Sequence, residues 1–140
     1  MAELPLTGGC LCGGVRYEVT EPLVEAGYCH CTRCQRRTGA AASAQARVLP
    51  GSLRITAGED LVRAYDPEDG GFVKAFCASC GSALWARHPT DADVVSVRLG
   101  TFDGDPGIRA AYHQFVAYAA AWEPIPDDGL PRYPERRPPA

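Results

Sequence analysis

Hydrophobic and polar positions alternate along this chain in short runs, with no long stretch at the three-to-four spacing of an amphipathic helix. In "VRYEV" (15–19), Val15, Tyr17 and Val19 fall on one side and Arg16 and Glu18 on the other, the period-2 pattern of a half-buried strand. "SLRIT" (52–56) repeats it with Leu53 and Ile55. "DVVSVRL" (93–99) predicts the clearest strand, with Val95, Val97 and Leu99 facing inward. "GGFVKAF" (70–76) predicts a strand entered through a glycine turn, with Phe72, Lys74 and Phe76 sharing a side. "HQFVAYAAAW" (113–122) carries two signals: its alanines favour helix, while Phe115 between Gln114 and Val116, and the prolines that follow, lean towards strand. A helical turn or two is expected over Thr32–Thr38, ended by Gly39, and 40–48 fits either more helix or a strand. The proline-rich, charged residues 134–140 are expected to be an extended or disordered tail. A mainly β single domain over residues 1–133 follows.

Composition narrows the class without changing that picture. A chain of 140 residues suits one domain with a real core. Its 15 glycines and 12 prolines agree with many turns between short strands. A formal net charge of -3 offers no bulk attraction to nucleic acid or an anionic membrane, so neither is an expected partner. "MAELPLTGGC" has no basic region followed by an apolar run, so no secretory leader is expected, and no stretch approaches the roughly 20 apolar residues of a membrane span. The expected location is the cytoplasm; the oligomeric state has no signature. In a reducing compartment, seven cysteines are better read as metal ligands or catalytic thiols than as disulfides.

Those cysteines form three groups: Cys10 and Cys12 in "GGCLCGG", Cys29, Cys31 and Cys34 in "YCHCTRC", and Cys77 and Cys80 in "AFCASCGSAL". A closed tetrahedral zinc site needs four ligands, often delivered as two short pairs on turns, and Gly13, Gly14 and Gly81 let the backbone turn there. Two partitions compete. Cys31 and Cys34 can join Cys77 and Cys80 as a zinc ribbon, leaving three cysteines over. Alternatively, Cys10, Cys12, Cys77 and Cys80 make one closed site, and the central three make a second. Spacing slightly favours the first. The second uses every cysteine, and its three-ligand site would keep a coordination position free for water or substrate, the mark of a catalytic zinc.

The segments "GGCLCGGVRYEV", "YCHCTRCQRRTGA", "FCASCGSALW" and "YHQFVAYAAAWEPIPDDGLPRY" together resemble the glutathione-dependent formaldehyde-activating enzyme family, whose domain also occurs in centromere protein V. The likeness runs from about Gly8 to Tyr133. It implies a β-rich, tent-like fold of the Mss4 type. It implies that Cys10, Cys12, Cys77 and Cys80 match a structural zinc site and that Cys29, Cys31 and Cys34 match a catalytic one. It also implies carbon–sulfur lyase chemistry, making or breaking the adduct between a thiol such as glutathione and a small aldehyde such as formaldehyde.

Other residues carry weaker signals. Arg33, Arg36 and Arg37 form a basic strip beside the central cluster, able as guanidiniums to hold substrate carboxylates bidentately or to be a solvated face. His30 lies between two ligands, so its side chain should point away from their metal; His88 and His113 carry no independent signal. Trp85 and Trp122 suit core or pocket wall. Three thiolates weaken the Lewis acidity of a bound metal, so the second zinc is expected to be labile. The rival readings are a non-catalytic zinc-binding interaction module and a thiol redox or metal-handling protein with "CHCTRC" as its exchanging site.

Overall fold

The computed structural model describes residues 2–139. Among them ten strands follow in chain order: β1 (Leu6–Gly9), β2 (Arg16–Val19), β3 (Glu25–Cys29), β4 (Ser43–Arg47), β5 (Leu53–Ala57), β6 (Val62–Tyr65), β7 (Val73–Cys77), β8 (Ala83–Arg87), β9 (Val95–Arg98) and β10 (His113–Gln114). One α-helix, α1 (Thr32–Thr38), lies between β3 and β4. The mainly β expectation holds. The strands form a three-stranded sheet in the order β1-β2-β5 and a seven-stranded sheet in the order β10-β3-β4-β9-β8-β7-β6. Every neighbouring pair is antiparallel except β10 with β3.

The alternation of "VRYEV" builds the core between the sheets. Val15, Tyr17 and Val19 are 0%, 1% and 0% exposed. Tyr17 and Val19 meet Leu6, Val48 and Val97, while Trp85 and Phe102 stand edge-on to the Tyr17 ring at centroid distances of 6.0 and 5.8 Å. Each fully buried valine contributes roughly 1.5–3 kcal/mol relative to exposure. The Tyr17 hydroxyl keeps a polar partner, the Thr101 hydroxyl at 2.7 Å.

Strand faces follow the sequence with some corrections. On β9, Val97 is fully buried, but Leu99 lies past the strand in a 3-10 turn, Leu99–Thr101. On β7 the buried set is Val73, Ala75 and Cys77, so Phe72, Lys74 and Phe76 share the opposite side. Residues 43–47 form a strand because α1 stops at Gly39, whose left-handed backbone (φ 68) donates its N–H to the Gln35 carbonyl. The 113–122 segment is strand only at His113–Gln114. It then turns at Phe115, left-handed with φ 57, into a 3-10 turn over Val116–Tyr118.

The short β10 leaves backbone groups that the end of the chain satisfies. Tyr133 N–H donates to the His113 carbonyl at 2.8 Å, and Phe115 N–H donates to the Glu135 carbonyl at 2.9 Å. Arg137 donates its backbone N–H to Gln114 Oε1 at 3.0 Å and its guanidinium pairs with Glu25. From Tyr133 to Arg137, then, the chain is hydrogen bonded against β10 and its following turn.

Candidate functional site

The first cysteine group joins the two sheets. Cys10 and Cys12 sit in the turn after β1, Cys77 ends β7 and Cys80 follows in the next turn; one sulfur from each lies within 4.8 Å of the others. Metal–sulfur bonds of about 2.3 Å arranged as a tetrahedron give sulfur–sulfur edges of about 3.8 Å. The Cys10–Cys12 and Cys12–Cys77 separations are 3.5 and 3.9 Å, so these sulfurs fit around one metal ion. The backbone is already aimed to stabilise thiolates: Val15 N–H points at Cys10 Sγ (3.2 Å) and Gly14 N–H at Cys12 Sγ (3.4 Å). The Ser82 hydroxyl, 3.1 Å from Cys80 Sγ, draws the Cys80 pKa down to about 5. Cys10 and Cys77 pack with Val15 and Leu84, so the cluster closes one end of the core.

The second group is built by a strand end and a helix start. Cys29 is the last residue of β3, and Cys31 caps α1 in extended conformation (φ -64, ψ 156), its Sγ accepting the Cys34 N–H at 3.2 Å. An N-cap normally uses Ser, Thr, Asp or Asn to accept that bond; here a sulfur does so. The Cys-x-x-Cys spacing therefore brings Cys31 and Cys34 to one helix end, where Cys29 meets them, all three sulfurs within 4.8 Å of one another. Charge is shared unequally. Hydrogen bonds from the Cys29 and Cys34 thiols, with help from the Cys34 and Arg33 amides, push the Cys31 pKa far down. The Cys29 pKa is pushed up by the Cys31 and Cys34 sulfurs and by burial. These three donors are also capable of holding a metal ion.

Thus the partition into four and three is the one that the fold assembles. His30 does turn away from the sulfurs, as expected. Its Nε2 lies 2.8 Å from His113 Nδ1, and His113 Nε2 lies 2.8 Å from Asp128 Oδ2. Both rings are buried, and Tyr28 stacks on His113 at 5.0 Å. His113 thus has a structural role that the sequence did not signal, because its partners are distant along the chain. His88 packs edge-on to Phe72 at 5.6 Å; Trp85 lies against the core, and Trp122 is 67% exposed.

The three sulfurs open onto a cavity of about 520 Å³. Its floor is the face of the seven-stranded sheet opposite the core. Strand register sets Glu25, Arg47, Ser96, Ala86 and Lys74 in one row across β3, β4, β9, β8 and β7, with Gln45 opposite Arg98 in the next. The Tyr112 ring presses over Gly27, where an added Cβ would lie 2.3 Å from it. Phe72, Phe115 and Tyr118 supply apolar wall.

Of the arginines singled out from sequence, Arg33 lines this cavity and pairs with Asp69, whereas Arg36 and Arg37 do not line it. The Arg37 guanidinium instead lies over the Phe76 ring at 5.3 Å. The cavity's other cations, Arg47, Lys74, Arg98 and Arg136, were not singled out. Two are visible in retrospect as the polar partners of alternating strands: Arg98 beside Val97, and Lys74 beside Val73. Burial pushes the Arg98 and Lys74 pKa values down, and the charge of the nearby Cys34 opposes that shift.

The sequence profile of the glutathione-dependent formaldehyde-activating enzyme family matches residues 5–118. A Halomonas elongata protein, provisionally named a glutathione-dependent formaldehyde-activating enzyme, is 28% identical over 105 residues, covering 71% of this chain and 67% of that protein. A crystal structure of a Rhodobacter sphaeroides protein superposes with a TM-score of 0.58 at 23% identity, covering 90% of this chain and 98% of that one, which shows a shared fold. Among the described residues no helix is long and apolar enough to cross a membrane.

Proposed function

The chain belongs to the glutathione-dependent formaldehyde-activating enzyme family, and we propose that it is a zinc-dependent carbon–sulfur lyase acting on a thiol–aldehyde adduct of the S-hydroxymethylglutathione kind. The observation that carries this reading is that one cysteine group is a complete four-sulfur set at the core, whereas the other offers three sulfurs and opens onto a cavity. Zinc is the metal that suits all-thiolate tetrahedral donor sets. Cys10, Cys12, Cys77 and Cys80 would hold a structural ion, and Cys29, Cys31 and Cys34, which border the cavity, would hold a catalytic one. A zinc ion bound there supplies Lewis acidity and favours thiolate over thiol.

The protein's own groups supply the rest. Lys74 and Arg98 place positive charge near the three sulfurs, offsetting the excess negative charge of a three-thiolate site. Arg33, fixed by Asp69, borders the same opening. Phe72, Phe115 and Tyr118 shelter the reacting carbon from bulk water. In the synthetic direction the substrate sulfur bonds to the aldehyde carbon and the thiol proton ends on the aldehyde oxygen; the reverse step breaks that bond, with no net oxidation. The seven thiols fit work in the reducing cytoplasm.

Graded chelation tests this reading. Three thiolates grip the ion less well than four, so chelator should first remove one zinc per chain and abolish thiol–formaldehyde exchange, with the thermal midpoint little changed. Exchange that persists after this first ion leaves would contradict the assignment.

A further inference from the structure

His30 sits between two of the three sulfurs and holds no metal ion itself, yet its ring and that of His113 are buried, at 6% and 2% exposure. Both belong to one hydrogen-bonded chain that starts at Asp128. Asp128 Oδ2 lies 2.8 Å from His113 Nε2, and His113 Nδ1 lies 2.8 Å from His30 Nε2. An ionised carboxylate can only accept, so the His113 proton lies on Nε2. With both rings neutral, His113 Nδ1 is then an acceptor, and the His30 proton also lies on Nε2. The His113 N–H in turn holds the Asp128 carboxyl below its usual range. The carboxylate is itself anchored, Oδ1 accepting the Leu130 N–H at 3.0 Å while the Asp128 N–H donates to the Pro126 carbonyl at 2.9 Å. At the other end the chain reaches the peptide that joins Cys29 to Cys31. His30 N–H donates to the Gln114 carbonyl at 3.0 Å, and Gln35 Nε2 donates to the His30 carbonyl at 2.9 Å. Cys31 then caps α1 and accepts the Cys34 N–H, so the same turn sets where all three sulfurs meet.

We infer that Asp128 is a positioning residue of the three-sulfur site, acting through His113 and His30 to hold the turn that carries Cys29 and Cys31. Without the carboxylate, His113 Nε2–H has no acceptor in a buried place, and the ring gains by moving its proton to Nδ1. That proton would face the His30 Nε2–H, so His30 must change tautomer or turn, and the peptide between two sulfurs turns with it. Groups that orient metal ligands without touching the metal typically contribute about ten- to hundredfold in affinity. A purely structural chain would act otherwise: its loss would loosen the junction of β10 with β3 and weaken both cysteine groups through the fold as a whole. The inference rests on the proposed function only for the metal ion at the three sulfurs.

Asp128→Ala tests it, because the Asp128 side chain is 29% exposed and its truncation leaves the core intact. Zinc affinity at each cysteine group is measured by chelator competition, and long-range 15N NMR places the imidazole protons. In the wild type, His113 is expected to carry a proton on Nε2. Asp128→Ala should weaken zinc at the three-sulfur group at least tenfold and at the four-sulfur group less than twofold. Asp103→Ala, which loses its pair with Arg16 on β2, controls for lost stability and should change neither affinity by more than twofold. A smaller loss at the three sulfurs, an equal loss at both groups, the same selective loss in Asp103→Ala, or a His113 Nε2 without its proton would overturn the inference and leave the lyase reading intact. If the wild type holds no zinc on the three sulfurs, the metal reading fails, and amide hydrogen exchange decides the inference. Exchange at least tenfold faster at His30 and Cys34 in Asp128→Ala, with Val15 unchanged, supports it; equal exchange in the two proteins overturns it.

Discussion

Tyr17 holds the two sheets together with a ring and a hydroxyl that have different demands. The ring sits between Trp85 and Phe102, and burial pushes the phenol pKa from 10.0 up to about 12. Because the folded pKa is raised, the folded state holds this proton more tightly than the unfolded chain. Its contribution is therefore complete below pH 10 and is lost as pH rises from 10 towards 12, by at most about 3 kcal/mol. Tyr17→Phe should cost about 1 kcal/mol at pH 8, through the lost Thr101 hydrogen bond, yet become the more stable protein near pH 12. Urea melts at both pH values check this; parallel loss in the two proteins would show that the phenol is not the titrating group. At the same scale the cysteines were legible in type and spacing. His113 and Asp128 were not, because their link to His30 is made through folding alone.

At the scale of elements, alternation revealed the strands and their buried sides in β2 and, at Val97, in β9. The opposite side misled. Arg47, Ser96 and Arg98 occupy positions that in an isolated antiparallel sheet face water, and only the chain segments over them turn that face into a cavity floor. Gly27 marks where one such segment comes close. Gly27→Ala should drive a methyl into the Tyr112 ring and cost about 1–3 kcal/mol in a denaturant melt. It should also raise KM for the thiol, since Tyr112 lines the cavity. An unchanged midpoint and KM would mean that Tyr112 moves aside freely. The 113–122 segment resisted reading for a related reason: β10 is two residues long and takes its partners from distant β3 and from Pro131, Tyr133 and Arg137, which no local propensity encodes.

At the scale of the whole molecule, the proposed function divides stability from chemistry between the two cysteine groups. Binding energy at a site that the unfolded chain lacks is folding energy. The four-sulfur group ties β1 to β7 at the core, whereas the three-sulfur group lies at a helix end. Cys77→Ser should therefore lower the thermal midpoint by 10 °C or more, on the scale of about 3 kcal/mol for a chain of this size. Cys31→Ser should lower it far less. Equal losses would show that both groups are structural and would favour a non-catalytic module.

In the proposed function the open three-sulfur cluster makes and breaks the carbon–sulfur bond. The most direct measurement is two-dimensional exchange NMR of formaldehyde with thiol, comparing zinc-loaded wild type with folded, zinc-loaded Cys31→Ser at equal concentration. Rapid exchange is expected in the wild type, with a loss of at least a hundredfold in the variant. Equal exchange rates in the two proteins would contradict it.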